Sequence, residues 1–176
     1  MSEASETTIA VELAVLGNGA AALCTTLQSE PATRWSHQVL DIMTAQDLAK
    51  RALFLFLNFS EQPACTRPEG RQALAHLGRV AESAQVVSAE LTAALARKAE
   101  NAHVAALRNT KPIFIGPSPA QRVAVAVDLL AKVPAQCAEG AKWVSAAERL
   151  QAARDRAAST IPPTPAAAST APPRRR

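Results

Sequence analysis

Hydrophobic residues recur at intervals of three and four along an alanine-rich stretch that runs from about residue 67 to residue 109. This spacing is typical of one face of an α-helix, and no proline interrupts it between Arg71 and Arg108. At 1.5 Å per residue the helix would be roughly 55–60 Å long, so it needs partners along its apolar face. That face comprises Leu74, Leu77, Ala81, Ala84, Ser88, Leu91, Leu95, Lys98, Ala102 and Ala105. Because Ser88 and Lys98 interrupt it, it is an imperfect coiled-coil seam.

Residues that favour the start and the end of a helix flank the long helix. Thr66 and Glu69 have the spacing of a capping box, which predicts that the Thr66 side chain starts the helix. Pro112 cannot continue a helix and disfavours it in the preceding residue, which places the end at about Asn109.

Residues 8–27 fit two patterns. Ile9, Val11, Leu13 and Val15 alternate as in a strand, and Gly17-Asn18-Gly19 is a turn signal. The same residues also fit helical spacing, with apolar positions three and four apart. We expect a helix that is broken or kinked at the two glycines.

A second hydrophobic run extends from Trp35 to Phe59. Thr44 and Asp47 resemble another capping box, so residues 36–43 are expected to form a separate short helix. The second half of the run is apolar nearly all round and contains Phe54, Phe56 and Phe59. A helix of that kind is buried on most sides, so we place the densest core here.

Two further helices follow the long one. The sequence of residues 111–117 predicts an extended connector. We expect its Ile113-Phe114-Ile115 to fill part of the core. Ser118 and Gln121 form a capping box with Pro119 at the first helical position, and Pro134 is expected to end that helix. A last helix is predicted from about Glu139 to Ala158, with Trp143, Ala147, Leu150 and Ala153 directed inward.

Together these elements predict an all-α fold, an antiparallel bundle of four to five helices over residues 1–158. The low aromatic content of 3% and the abundance of alanine argue against a large sheet. Residues 159–176 change abruptly to proline and alanine and end in Arg174, Arg175 and Arg176. Such a segment cannot build a core, so we expect a disordered tail.

Cysteine content and hydropathy bear on the compartment. Cys24, Cys65 and Cys137 are odd in number and lack metal or redox spacing, which favours free thiols in a reducing compartment. The sequence contains no 18-residue apolar run and begins with acidic and polar residues, unlike a secretion signal. We expect a protein without a membrane partner, cytoplasmic or otherwise intracellular.

Charge is distributed unevenly. Residues 1–66 hold seven acidic and three basic side chains, whereas residues 67–176 hold eight acidic and sixteen basic ones. An acidic front and a basic back can join subunits or hold the basic half towards a polyanion. Candidate polyanion-binding residues are Arg97, Lys98, Arg108, Lys111, Arg122, Arg174, Arg175 and Arg176.

Catalytic patterns are weak throughout. Gly17, Gly19 and Ala22 match the glycine spacing of a dinucleotide-binding turn, but no second strand or acidic residue completes the unit. His37, His76 and His103 lie far apart and have no cysteine or carboxylate at metal-ligand spacing. We therefore predict no catalytic, cofactor-binding or metal-binding residues, and a protein that is not an enzyme.

The leading prediction is a non-catalytic scaffold or assembly protein that acts by protein–protein association, including association with itself. Its candidate helix-packing interface is Leu77, Ala84, Leu91 and Leu95 on the long helix. The first interpretation of this face is the core of an intramolecular bundle, and self-association is the alternative. The alternative is a structural nucleic-acid-coating protein, such as a capsid or nucleoprotein subunit, that binds weakly and without sequence preference through its basic half.

Overall fold

The computed structural model describes residues 3–29, 34–107 and 116–159, and all of the regular structure in these ranges is helical. The five α-helices are α1 (Glu3–Ser29), α2 (Trp35–Ser60), α3 (Pro68–Ala106), α4 (Pro119–Leu130) and α5 (Val133–Ser159), and a 3₁₀ turn, Pro63–Thr66, joins α2 to α3. The predicted all-α fold is confirmed. The expected Ile113–Ile115 core segment and the tail from residue 160 lie outside the described residues.

Four of the helices form a closed ring in which α1 packs on α2, α2 on α3, α3 on α5 and α5 on α1. Contacting residues run in opposite directions along α1 and α5, where Gly17 lies beside Cys137 and Leu13 beside Gly140, and along α2 and α3. Lys98 lies over Trp35 at one end of the α2–α3 pair, and Gly78 lies beside Phe56 towards the other. The ring is therefore an up-down-up-down bundle, and the short α4 packs against α3 and α1.

The core of the bundle draws large apolar side chains from every helix. Its most completely buried members are Phe59, Leu13, Leu16, Leu77, Leu130, Val80, Val87, Val133, Val144 and Cys137. Burying one leucine or valine side chain stabilises a fold by about 1.5–3 kcal/mol. Since α3 contributes buried residues from Gly70 to Ala94, the long helix is the central element of the bundle, as its apolar stripe predicts.

α1 continues without a break through Gly17 and Gly19, so the predicted interruption is wrong. Packing explains both glycines. A Cβ atom at Gly17 would lie 3.4 Å from Pro134 and from Cys137 on α5, and one at Gly19 would lie 3.0 Å from Leu48 on α2. The missing side chains let α1 approach two neighbouring helices closely, and they do not form a turn.

Of the three predicted capping boxes, only the one at Ser118 forms. Its hydroxyl accepts a hydrogen bond from the Gln121 amide at 3.2 Å, and the Gln121 side chain accepts one from the Ser118 amide at 2.8 Å. The Thr66 hydroxyl instead donates to the Pro63 carbonyl, and Arg67 precedes the first residue of α3. The Thr44 hydroxyl donates to the Leu40 carbonyl inside an uninterrupted α2, so no separate short helix exists.

The last helix begins earlier than predicted. α5 starts at Val133, with Pro134 in its first turn, because proline's fixed φ and missing N–H suit a helix start. Of the four residues expected to face inward, Ala147 is buried and Trp143 packs partly against the core, but Leu150 and Ala153 are exposed.

One segment of α1, Ile9–Ser29, is long and apolar enough to span a membrane by length and composition, with a mean hydropathy of 1.5 over its best window. Because the sequence contains no uninterrupted apolar run of 18 residues, its pattern did not indicate this segment. Leu13, Leu16, Ala20 and Leu23 bury its apolar side in the bundle. This side of α1 thus packs against the other helices of the bundle.

Candidate interaction surfaces

The candidate interface predicted on α3 lies inside the bundle. Leu77, Ala84 and Leu91 are buried, and Leu95 is half-buried against the core cluster. Their partners are the helices of the same chain, since α3 packs on α2, α4 and α5. Of the two alternatives for this face, the structure places it in the core.

An apolar surface that the sequence did not indicate lies on α2. Four large side chains on its outer side are more than half exposed, namely Leu40 (59%), Met43 (55%), Phe54 (64%) and Leu57 (57%). The opposite side of α2 carries Ile42, Leu48, Leu55 and Phe59 into the core. The prediction that the second half of α2 is buried on most sides is therefore wrong. We call Leu40, Met43, Asp47, Lys50, Phe54 and Leu57 the α2 outer stripe.

The middle of the α2 outer stripe is charged. Asp47 and Lys50 face solvent and form an ion pair of 3.6 Å across one turn. An exposed pair of this kind contributes only about 0.3–0.5 kcal/mol to stability. The stripe thus consists of two apolar halves around one acidic and one basic group.

A groove of about 460 Å³ runs beside the stripe, between α1 and α2. Phe54 forms one wall, and Ile9 of α1 and Leu55 of α2 supply further apolar surface. Glu12, Lys50 and Arg51 also line it. The groove widens the apolar surface around Phe54 to a second helix.

A second cavity, of about 270 Å³, lies where α2, α3 and α4 meet the end of α1. It is lined mainly by apolar side chains, among them Leu27, Ile42, Leu91 and Val123, with Asp41 at its wall. Burial raises the pKa of the Asp41 carboxyl above its usual value, partly offset by the nearby His37. Asp41 and Gln38 are the polar side chains of this lining, so the cavity offers few groups to orient a substrate.

The described basic candidates do not form an open patch. Arg122 on α4 donates to Glu90 on α3 at 2.9 Å, with both side chains about three-quarters buried. Arg97 pairs with Glu100 at 3.0 Å, and the Lys98 ammonium lies 5.3 Å from the centroid of the Trp35 ring. The other candidates, Arg108, Lys111, Arg174, Arg175 and Arg176, lie outside the described residues.

Nucleophilic and metal-binding side chains are dispersed. Burial raises the pKa of the Cys137 thiol to about 12, which keeps it protonated and unreactive at neutral pH. The Cys24 thiol donates to the Val127 carbonyl at 3.7 Å, and Cys65 donates to the Ser60 carbonyl at 3.0 Å. Within residues 3–29, 34–107 and 116–159, no three His, Cys, Asp or Glu side chains are grouped as metal ligands would be.

No protein-family model matches the chain, and no curated protein or solved structure resembles it significantly.

Proposed function

We propose that the protein is a non-catalytic helical scaffold that binds other protein chains, and that the α2 outer stripe is its binding surface. The observation that supports this most strongly is the exposure of Phe54, Leu40 and Leu57 on one side of a single helix. Contiguous apolar surface on a soluble domain typically marks an interaction site.

The shape of this surface favours a helical partner. From Leu40 to Leu57 the stripe spans roughly 26 Å at 1.5 Å per residue. Its members recur at intervals of three and four, the pattern by which one helix packs against another. A partner helix would cover both apolar halves of the stripe.

The test is recovery of bound protein from the cells that make this chain. Tagged wild type should carry partner chains, and Phe54→Lys should reduce their amount at least tenfold because it introduces a charge into the contact. The control is Leu150→Lys, which alters another exposed leucine, 42% exposed on α5. Equal recovery with Phe54→Lys and wild type, or a wild type that carries no protein and no second copy of itself, would contradict the proposal.

Nucleic-acid coating remains the alternative, with less support from the described residues. Arg97 and Arg122 already pair with carboxylates, which weakens any field they present to phosphates. The alternative expects retention on a polyanion column that falls with salt and with Arg122→Glu. Absence of retention at low salt would exclude it.

A further inference from the structure

The α2 outer stripe is symmetric about its own midpoint. Its six members follow at intervals of three, four, three, four and three residues, and the midpoint falls between residues 48 and 49. Each step outward from this midpoint meets the same kind of residue on both sides. The charged pair Asp47 and Lys50 comes first, then Met43 and Phe54, then Leu40 and Leu57.

This order is self-complementary when two α2 helices lie antiparallel around a two-fold axis at the midpoint. Asp47 of one copy then faces Lys50 of the other, and both such ionic contacts form at once. Met43 faces Phe54, where a thioether and an aromatic ring attract each other. Leu40 faces Leu57, so every apolar member has an apolar partner.

We propose that a second copy of this chain occupies the α2 outer stripe, in an antiparallel two-fold dimer centred between residues 48 and 49. The inference rests on the proposed function, because it names the partner of the same surface. Such an interface is isologous, since the same patch serves both copies.

The charged centre selects this alignment against others. In a parallel pair Asp47 would face Asp47 and Lys50 would face Lys50, so like charges would repel each other. If the antiparallel pair slips by seven residues, Lys50 faces Phe54 and Asp47 faces Leu57, and charged groups are covered by apolar ones. A charged or polar position within a seam of this kind fixes register and orientation.

The dimer should be reversible. A seam of about five helical turns buries less surface than a standard protein interface, even with the neighbouring Val39 and Leu53 added. Interfaces of this size belong to the weak, transient class, so dimerisation should depend on protein concentration. Both copies keep their bundles intact, because the opposite side of α2 holds the core.

Sedimentation equilibrium of the full chain, wild type against charge variants, tests the proposal. Asp47→Lys places lysines on both sides of each ionic contact, and Lys50→Asp places aspartates there. Each variant alone should dimerise at least tenfold more weakly than wild type. The double variant Asp47→Lys/Lys50→Asp restores opposite charges across the interface and should recover dimerisation. In 1 M salt the differences in dimer affinity between wild type and the single variants should become smaller.

An equimolar mixture of the two single variants identifies the two-fold register. The two lysines of one chain then face the two aspartates of the other, so the mixture should dimerise about as tightly as wild type. Glu139→Lys is the matched control, since it makes the same charge change in an exposed ion pair on α5 and should leave dimerisation unchanged.

Three outcomes would overturn the inference. They are a wild type that stays monomeric at several hundred micromolar, single variants that dimerise like wild type, and a mixture more than tenfold tighter than wild type, which indicates parallel helices. If wild type is monomeric but Phe54→Lys still abolishes recovery of a different protein, this inference fails and the proposed function stands.

Discussion

Two glycines of α3, about two turns apart, have opposite surroundings. A Cβ atom added to Gly70 would collide with the Ala64 carbonyl oxygen and the backbone of Cys65, whereas one added to Gly78 would lie 3.7 Å from the Phe56 ring. Gly70→Ala should therefore cost several kcal/mol, roughly the range of severe core strain. Gly78→Ala should stabilise the protein by about 0.5–1 kcal/mol, because alanine restricts the unfolded chain.

Urea unfolding of both variants measures this contrast, and each serves as the control for the other. Because the obstacle at Gly70 is backbone in the 3₁₀ turn, side-chain rearrangement cannot relieve it. A Gly70→Ala variant as stable as wild type would show that the 3₁₀ turn does not lie against the start of α3.

The buried thiol of Cys137 makes stability depend on alkaline pH. Its pKa rises to about 12 in the folded protein, whereas an unfolded thiol titrates near about 8.5. Because the folded pKa is raised, the stability that the protonated Cys137 thiol contributes to the fold is fully present below about pH 8.5. It is lost as the pH rises towards 12. In that window, ionisation of the thiol should lower the free energy of unfolding by up to about 1.4 kcal/mol per pH unit.

Unfolding free energies at pH 7.5 and pH 10.5, for wild type and Cys137→Ala, isolate this effect. The alanine variant starts less stable because it loses buried volume, but its stability should fall less between the two values. Equal falls in both proteins would mean that the thiol ionises as readily in the fold as in the unfolded chain.

At the scale of elements, helix starts give the sharpest comparison. Ser118→Ala removes the capping hydrogen bond to the Gln121 amide and should cost about 1 kcal/mol. Thr66→Ala removes only a hydroxyl that donates to Pro63, so it should cost much less. Thermal unfolding of both variants measures the difference. A larger loss of stability in Thr66→Ala than in Ser118→Ala would indicate that Thr66 does cap α3, as its sequence spacing suggests.

These two sites show which element boundaries sequence can predict. At Ser118 the capping residue, Pro119 and Gln121 are adjacent and act together, so the boundary follows from local chemistry. At Thr66 the same spacing is present, but Pro63 starts a 3₁₀ turn. The Thr66 hydroxyl donates to the Pro63 carbonyl in this turn and does not cap α3. Local sequence likewise does not reveal the role of Gly17 and Gly19, because it depends on contacts with α5 and α2, which lie far away in sequence.

At the scale of the whole molecule, the sequence predicted the helical bundle and its central helix but not its free surface. Periodicity shows that α3 has one apolar face, and that face is the core. The second half of α2 is apolar nearly all round, so its pattern does not reveal which side the neighbouring helices cover. Only the ring of α1, α2, α3 and α5 shows that Phe54 and Leu57 face outward while Leu55 and Phe59 face inward.

The same arrangement predicts that folding and association can be separated by mutation. Leu91 is buried in the bundle, so Leu91→Ala should lower the unfolding free energy by about 2–5 kcal/mol. Phe54 is mostly exposed, so Phe54→Ser should change the stability of the monomer by less than about 1 kcal/mol and weaken association instead. Urea unfolding at low protein concentration and sedimentation at high concentration measure the two quantities. If Phe54→Ser destabilised the monomer as much as Leu91→Ala, α2 would have no free outer face, and neither the scaffold nor the dimer could use it.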